Sequence, residues 1–109
     1  MIELTRDEEF AVLTIRRSQA LNALSFELIA RIGECIVEAG RSDARALIVT
    51  GEGEKAFCAG ADIRELQQRA LSAQREGAEI GQAVFAQLDR LPIPSIALVN
   101  GYAFGGGCE

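Results

Sequence analysis

Apolar and polar positions come in blocks along this chain, and the blocks have the lengths of strands and helices. Ile2 to Thr5 and Phe10 to Ile15 are short runs rich in β-formers, with Asp7-Glu8-Glu9 between them. That pattern predicts an antiparallel hairpin. The second run is almost wholly apolar, so its strand is expected to be covered on both faces. Leu28, Ile29, Ile32, Cys35, Ile36 and Ala39 recur at helical spacing. They predict a helix capped by Ser25 at its start and by Gly40 at its end, with Cys35 as core packing. Arg45 to Thr50 is again a continuous apolar strand, bounded by Gly51 and Gly53. Strand, helix, strand in that order predicts a crossover unit and a mostly parallel sheet.

The second half repeats the rhythm. Lys55 to Ile63 opens apolar and turns at small residues, and Asp62 can cap a short helix through Leu66. A longer helix is predicted over Ser72–Leu91, with Ile80, Val84, Leu88 and Leu91 as its apolar stripe. Arg64, Arg69 and Arg75 interleave with Glu65, Glu76 and Glu79 and read as a solvated face. Pro92 and Pro94 end the helix and lead into Ser95–Val99, which reads as a buried strand. A glycine-rich turn, Gly101 to Gly107, follows it, and then Cys108 and Glu109.

Composition changes this picture at a few points. The chain has no histidine, so acid–base chemistry falls to carboxylates. Its net charge of −5 argues against a nucleic-acid partner. Cys35, Cys58 and Cys108 are an odd number without metal-ligand spacing, which predicts free thiols, a cytoplasmic setting and no metal site. The first residues carry no signal-peptide pattern, and no apolar run approaches the ~20 residues of a membrane span. No membrane partner is therefore expected.

The candidate chemistry lies in two strand-to-turn junctions. Ala59–Asp62 and Gly105–Gly107 each follow an apolar strand and precede a predicted helix start. Should they converge, each can offer one backbone N–H to the same point, which makes an oxyanion hole. Glu109 then lies close by, where a carboxylate handles a proton or a water. Arg16 and Arg17 are open to two readings, a solvated turn or a cationic lip for an anionic ligand. A phosphate loop at Gly51-Glu52-Gly53-Glu54-Lys55 is rejected, because two glutamates sit inside it and no Ser or Thr follows the lysine. The closing glycines lack the dinucleotide-binding spacing as well.

Three stretches carry a resemblance. Ala20-Leu21-Asn22-Ala23-Leu24, Ala56-Phe57-Cys58-Ala59-Gly60-Ala61-Asp62-Ile63 and Asn100-Gly101-Tyr102-Ala103-Phe104-Gly105-Gly106-Gly107-Cys108-Glu109 resemble, in order, the N-terminal signatures of the crotonase (enoyl-CoA hydratase/isomerase) superfamily. The resemblance implies an α/β fold, a crotonase-like spiral of β-β-α units, here cut off after the second glycine-rich turn. Residues 1–109 are then the N-terminal part of a single domain. It implies an acyl-CoA thioester substrate, with coenzyme A part of the substrate and no separate cofactor. By motif position, Ala61 and Gly106 would supply the two donor amides. Ala20, Ala59, Asp62 and Ile63 would line the CoA site, Arg16 or Arg17 would meet CoA phosphates, and Tyr102 and Gly105 would lie along the acyl channel.

Glu109 stands where hydratases of that superfamily carry a glutamate that works with a second one later in the chain. The implied activity is addition of water across the α,β double bond of 2-enoyl-CoA thioesters, through a stabilised enolate. An isomerase or another acyl-CoA lyase is the alternative within the superfamily. A non-catalytic acyl-CoA-binding fragment is the alternative outside it, since the second glutamate has no counterpart in these residues. A homo-trimer or dimer of trimers is the implied assembly of the full-length protein. These residues alone are expected to be marginally stable and to associate.

Overall fold

The computed structural model describes residues 1–109. Strand β1 (Ile2–Asp7) and strand β2 (Phe10–Ile15) pair antiparallel, from Ile2 against Ile15 to Asp7 against Phe10. The hairpin closes at Glu8, whose φ of 53° is left-handed. Along β2, Ala11, Leu13 and Ile15 are buried and the residues between them are half-buried, so both faces of the strand are partly covered.

Helix α1 (Phe26–Arg41) starts where the Ser25 hydroxyl accepts a hydrogen bond from the Leu28 amide at 3.2 Å. Its buried face holds Ile29, Ile32, Cys35, Ile36 and Ala39, as the spacing predicts, with Gly33 added and Leu28 half-buried at its edge. Gly40 does not cap it. The helix runs on to Arg41, and Ser42 closes it, donating both its amide and its hydroxyl to Ala39 O and accepting from the Ala44 amide at 3.1 Å. A Cβ on Gly40 would lie 3.0 Å from Leu91 Cδ2, so the glycine serves a close approach rather than a turn.

Strand β3 (Ala46–Gly51) returns parallel to β2, with Leu47 beside Ala11. Strand β4 (Ala56–Cys58), helix α2 (Ile63–Gln67) and helix α3 (Leu71–Asp89) follow. Strand β5 (Ser95–Leu98) then pairs parallel with β3, and strand β6 (Tyr102–Ala103) pairs parallel with β4. The result is a four-stranded sheet in the order β1-β2-β3-β5 and a two-stranded sheet of β4 and β6. The β5–β6 unit thus lays its first strand beside β3 and its second beside β4. That is the stacking of a β-β-α spiral.

The core is a cluster of 15 buried residues centred on β2, α1 and Leu47 of β3, and it includes Phe57, Cys58 and Val84. Helix α3 packs on α1 through small residues: a Cβ on Gly33 would lie 3.2 Å from Val84, and one on Gly81 3.8 Å from Ile29. Gly77 lies under the Phe26 ring, where a Cβ would come within 2.2 Å of ring atoms. The fully buried positions of α3 are Gly77, Gly81 and Val84; of the predicted stripe Val84 is buried, Leu88 and Leu91 are half-buried against the core, and Ile80 is 48% exposed. Glycines are silent in a hydrophobicity pattern, so the face that they form is not visible there. Strand β5 differs as well. All four of its residues are exposed, because α3 lies on α1 and leaves β5 without a covering layer.

Candidate functional site

The Ala20–Leu24 segment is the floor of the site. It leaves a single 3-10 turn, Ser18–Ala20, through Leu21 and Asn22, both left-handed at φ 53° and 57°. Asn22 is fully buried and spends its whole amide on backbone. Its Oδ1 accepts from the Arg17 amide at 2.9 Å, and its Nδ2 donates to Glu52 O at 3.0 Å and Ala56 O at 2.9 Å. Asn100 does the same from the other side. Its Oδ1 accepts from the Gly51 amide at 3.2 Å, and its Nδ2 donates to Gly53 O at 2.8 Å and Ala56 O at 3.3 Å. Two amide side chains so fix the 51–56 loop and the start of β4. Neither was predicted to be functional, and each had one signal: a lone polar residue between apolar ones.

The second floor segment is held by the first. Leu24 and Ala61 form a parallel bridge, in which the Leu24 amide donates to Gly60 O at 2.7 Å and the Asp62 amide to Leu24 O at 2.8 Å. Ala59, half-buried, donates its amide to Leu21 O at 3.0 Å. Asp62 caps α2 as its position predicts, its Oδ1 accepting from the Arg64 amide at 3.0 Å. Its other oxygen pairs with Arg17 Nη2 at 2.8 Å. The Arg17 hydrogen bond, with help from the α2 amides, holds this carboxyl below the usual carboxylate range. Ile63, the first residue of α2, is 68% exposed.

The two glycine-bearing turns meet. Gly60 sits at φ 99°, and a Cβ there would lie 2.9 Å from Phe104 O and 3.5 Å from the Gly106 nitrogen. Gly107 is pressed on β4, where a Cβ would come within 2.1 Å of Cys58 O. Gly105, Gly106 and Gly107 form a 3-10 turn in which the Cys108 and Glu109 amides both donate to Gly105 O, at 2.9 and 3.1 Å. The Ala61 and Gly106 amides are donors in none of the loop hydrogen bonds. Each belongs to a trans peptide whose carbonyl is already held, Gly60 O by Leu24 and Gly105 O by Cys108 and Glu109. A trans peptide points its C=O and N–H to opposite sides, so the tied oxygen aims the free N–H away from its anchor. The arrangement can stabilise negative charge on an oxygen placed between the turns.

The remaining candidates fall around this pair. Glu109 is exposed and borders an apolar cavity of about 400 Å³ between the large sheet, α1 and α3, with Gly106, Gly107 and Cys108 at its rim. Ala61 does not border that cavity. Tyr102 is 58% exposed and stacks on Phe104 with ring centres 5.5 Å apart. Ala20 is half-buried in the turn that precedes Leu21. Arg16 is paired with Glu3 and, at 3.3 Å, with Glu52. Both arginines are therefore matched by carboxylates. Cys58 is buried under the site, and burial pushes its thiol up, which leaves it inert at neutral pH.

The chain is similar to a set of enzymes of known name. The family profile described as enoyl-CoA hydratase/isomerase matches residues 5–109. A crotonyl-CoA hydratase of Syntrophomonas wolfei is 41% identical over 109 residues, covering 99% of this chain and 42% of its own. A short-chain-enoyl-CoA hydratase of Clostridium acetobutylicum is 43% identical over 107 residues, covering 97% and 41%. Among solved structures, an enoyl-CoA hydratase from Bacillus anthracis superposes with a TM-score of 0.93 at 30% identity, over 97% of this chain and 42% of that one. The chain thus spans about two fifths of the length of these relatives.

Proposed function

The chain belongs to the enoyl-CoA hydratase/isomerase family, and on that premise we propose that it carries the oxyanion-hole part of an enoyl-CoA hydratase site. The substrate is a 2-enoyl-CoA thioester, and coenzyme A enters as part of it. One observation carries the reading: the Ala61 and Gly106 amides are free, and each sits on a peptide whose carbonyl is anchored. As water adds at the β-carbon, charge moves to the thioester oxygen, where the two N–H groups meet it. Glu109 is the carboxylate that holds the water and takes its proton, and the α-carbon gains a proton to complete the addition. No metal or redox step is needed for this balance.

The finer features of the reading rest on the family. A second glutamate, contributed from beyond these residues, completes the acid–base pair. A trimer or dimer of trimers is the proposed assembly of the full-length protein, and three free thiols support a cytoplasmic setting. The test is hydration of crotonyl-CoA, followed by loss of the enoyl-thioester absorbance, with this chain and with Glu109→Gln. Turnover that falls by at least ~10²-fold in the variant supports a working hydratase carboxylate. Binding of crotonyl-CoA without turnover in either form supports an oxyanion hole that awaits its second carboxylate. Absence of both binding and turnover sinks the proposal.

A further inference from the structure

Arg17 reaches the Ala61 amide through two peptides. Its Nη1 donates to Ala23 O at 3.1 Å. The N–H of that same peptide belongs to Leu24 and donates to Gly60 O at 2.7 Å. The N–H of the Gly60 peptide is that of Ala61, which stays free. A guanidinium, two peptide groups and an open N–H therefore stand in one line, each link a donor feeding an acceptor. Hydrogen bonds in such a chain polarise one another, and a fixed positive charge at its head strengthens the donor at its tail. The other arm of the fork, Nη2, holds Asp62, the residue after Ala61, at 2.8 Å. Arg17 is itself fixed at its backbone, where its amide donates to Asn22 Oδ1 at 2.9 Å and its carbonyl accepts from the Ala20 and Asn22 amides.

We propose that Arg17 is a positioning residue, which aims and polarises the Ala61 amide through the Ala23–Leu24 and Gly60–Ala61 peptides rather than meeting a CoA phosphate. The inference rests on the reading of Ala61 as an oxyanion donor. A lysine in place of Arg17 keeps the charge but cannot bridge Ala23 O and the Asp62 carboxylate as a planar fork does. Gly106 has no such charged head, since its anchor is formed by the Cys108 and Glu109 amides alone. The two donors are then unequal, with Ala61 the stronger.

Two measurements on the labelled chain test this. The first needs no ligand: amide hydrogen exchange at Leu24 in the wild type, Arg17→Met and Arg17→Lys. Loss of a charge-assisted hydrogen bond from the relay accelerates exchange at Leu24 by roughly tenfold or more in Arg17→Met, with Leu13 and Leu47 unchanged. Arg17→Lys falls between, and it serves alone if the methionine variant does not fold. Unchanged exchange at Leu24 in the folded variants overturns the relay. The second uses crotonyl-CoA labelled with 13C at the thioester carbonyl, at saturation. Arg17→Met loses part of the downfield displacement that the wild type imposes on that carbon, roughly 10–30% per lost link. Full displacement with weakened affinity for free CoA makes Arg17 a phosphate contact and overturns the proposal. A wild type that binds no thioester refutes the proposed function, while the exchange measurement still decides the relay.

Discussion

The two ends of this molecule are held together by different forces. Around β2, β3 and α1, order comes from apolar side chains: Leu13 and Leu47 are 0% exposed and Ile36 is 1%. Around β5 and β6 the side chains contribute little, since Ile96, Leu98, Tyr102 and Phe104 are each about half exposed or more. What fixes that end is backbone: parallel pairing with β3 and β4, the Asn100 amide, and glycines pressed on the β4 main chain. Burial is indifferent to direction, whereas backbone hydrogen bonds set it. The donors that need to be aimed belong to the second kind of region.

The sharpest way to break the comparison is to delete volume at each end. Leu13→Ala removes a fully buried side chain and should cost about 2–5 kcal/mol. Leu98→Ala, at a position 58% exposed, should stay within about 0.5 kcal/mol. Denaturant melts of the two variants read the difference directly. Equal losses would mean that β5 is covered in solution by something that this chain does not show, such as a second copy.

Adding a methyl reverses the asymmetry. Gly107→Ala would place a Cβ within 2.1 Å of Cys58 O, a backbone atom that cannot rotate away. Overpacking of this kind costs about 1–3 kcal/mol and here shifts the turn that bears Gly106. Thioester binding should fall more than the melt does, because misdirection of the donor adds to the loss of stability. A variant with full stability and full binding would remove the close approach from the account of the site.

Asn22 lies between the two regions and shares features of both. It is buried like the core and works through hydrogen bonds like the turns. Asn22→Ala strips a partner from the Arg17 amide and Glu52 O, and should cost about 1–3 kcal/mol. Ala56 O keeps its bond from Asn100. Melting and hydrogen exchange along the 51–56 loop check this, and exchange confined to global unfolding would argue against a brace. Asn22→Asp, equal in shape but lacking the two donors, separates packing from hydrogen bonding.

The contrast also explains what was legible in the sequence. The stripe of α1 and its Ser25 cap are local patterns, and both are found as read. The β-β-α order follows from block lengths and apolar runs. Asp62 as a helix cap needed only its neighbours. The misreadings are all tertiary. Two of the three buried positions of α3 are glycines, and Gly40 answers to Leu91, which is distant in sequence. Ser95–Val99 reads as buried from its composition alone, which carries no information about the layer above it. The Asn22 and Asn100 braces were hidden because all their partners are main-chain atoms. The relay from Arg17 to Ala61 was hidden for the same reason, since every link after the guanidinium is a peptide group.

The smallest expected effect is also the most specific. Asp62 accepts from the Arg17 guanidinium and from the α2 amides, so its folded carboxyl titrates below the value of about 3.9 that it has in an unfolded chain. A depressed folded pKa means that the unfolded state takes up the proton first as pH drops. The contribution of the ion pair is therefore complete above about pH 4 to 5, and it is lost as pH falls through the lowered folded value. Asp62→Asn keeps a side-chain oxygen for the α2 amides and a good cap residue, but it removes the charge that Arg17 meets. The melting temperatures of wild type and Asp62→Asn should then differ by a constant amount from pH 5 to 8 and converge only as the pH falls through the lowered folded value. Because the pair is partly solvent-exposed, at 27% for Arg17 and 15% for Asp62, added salt should narrow the gap at neutral pH. A gap that persists unchanged into acid would assign the effect of the substitution to shape rather than to charge. That result would leave the Arg17 fork with only its Ala23 arm as a structural contact.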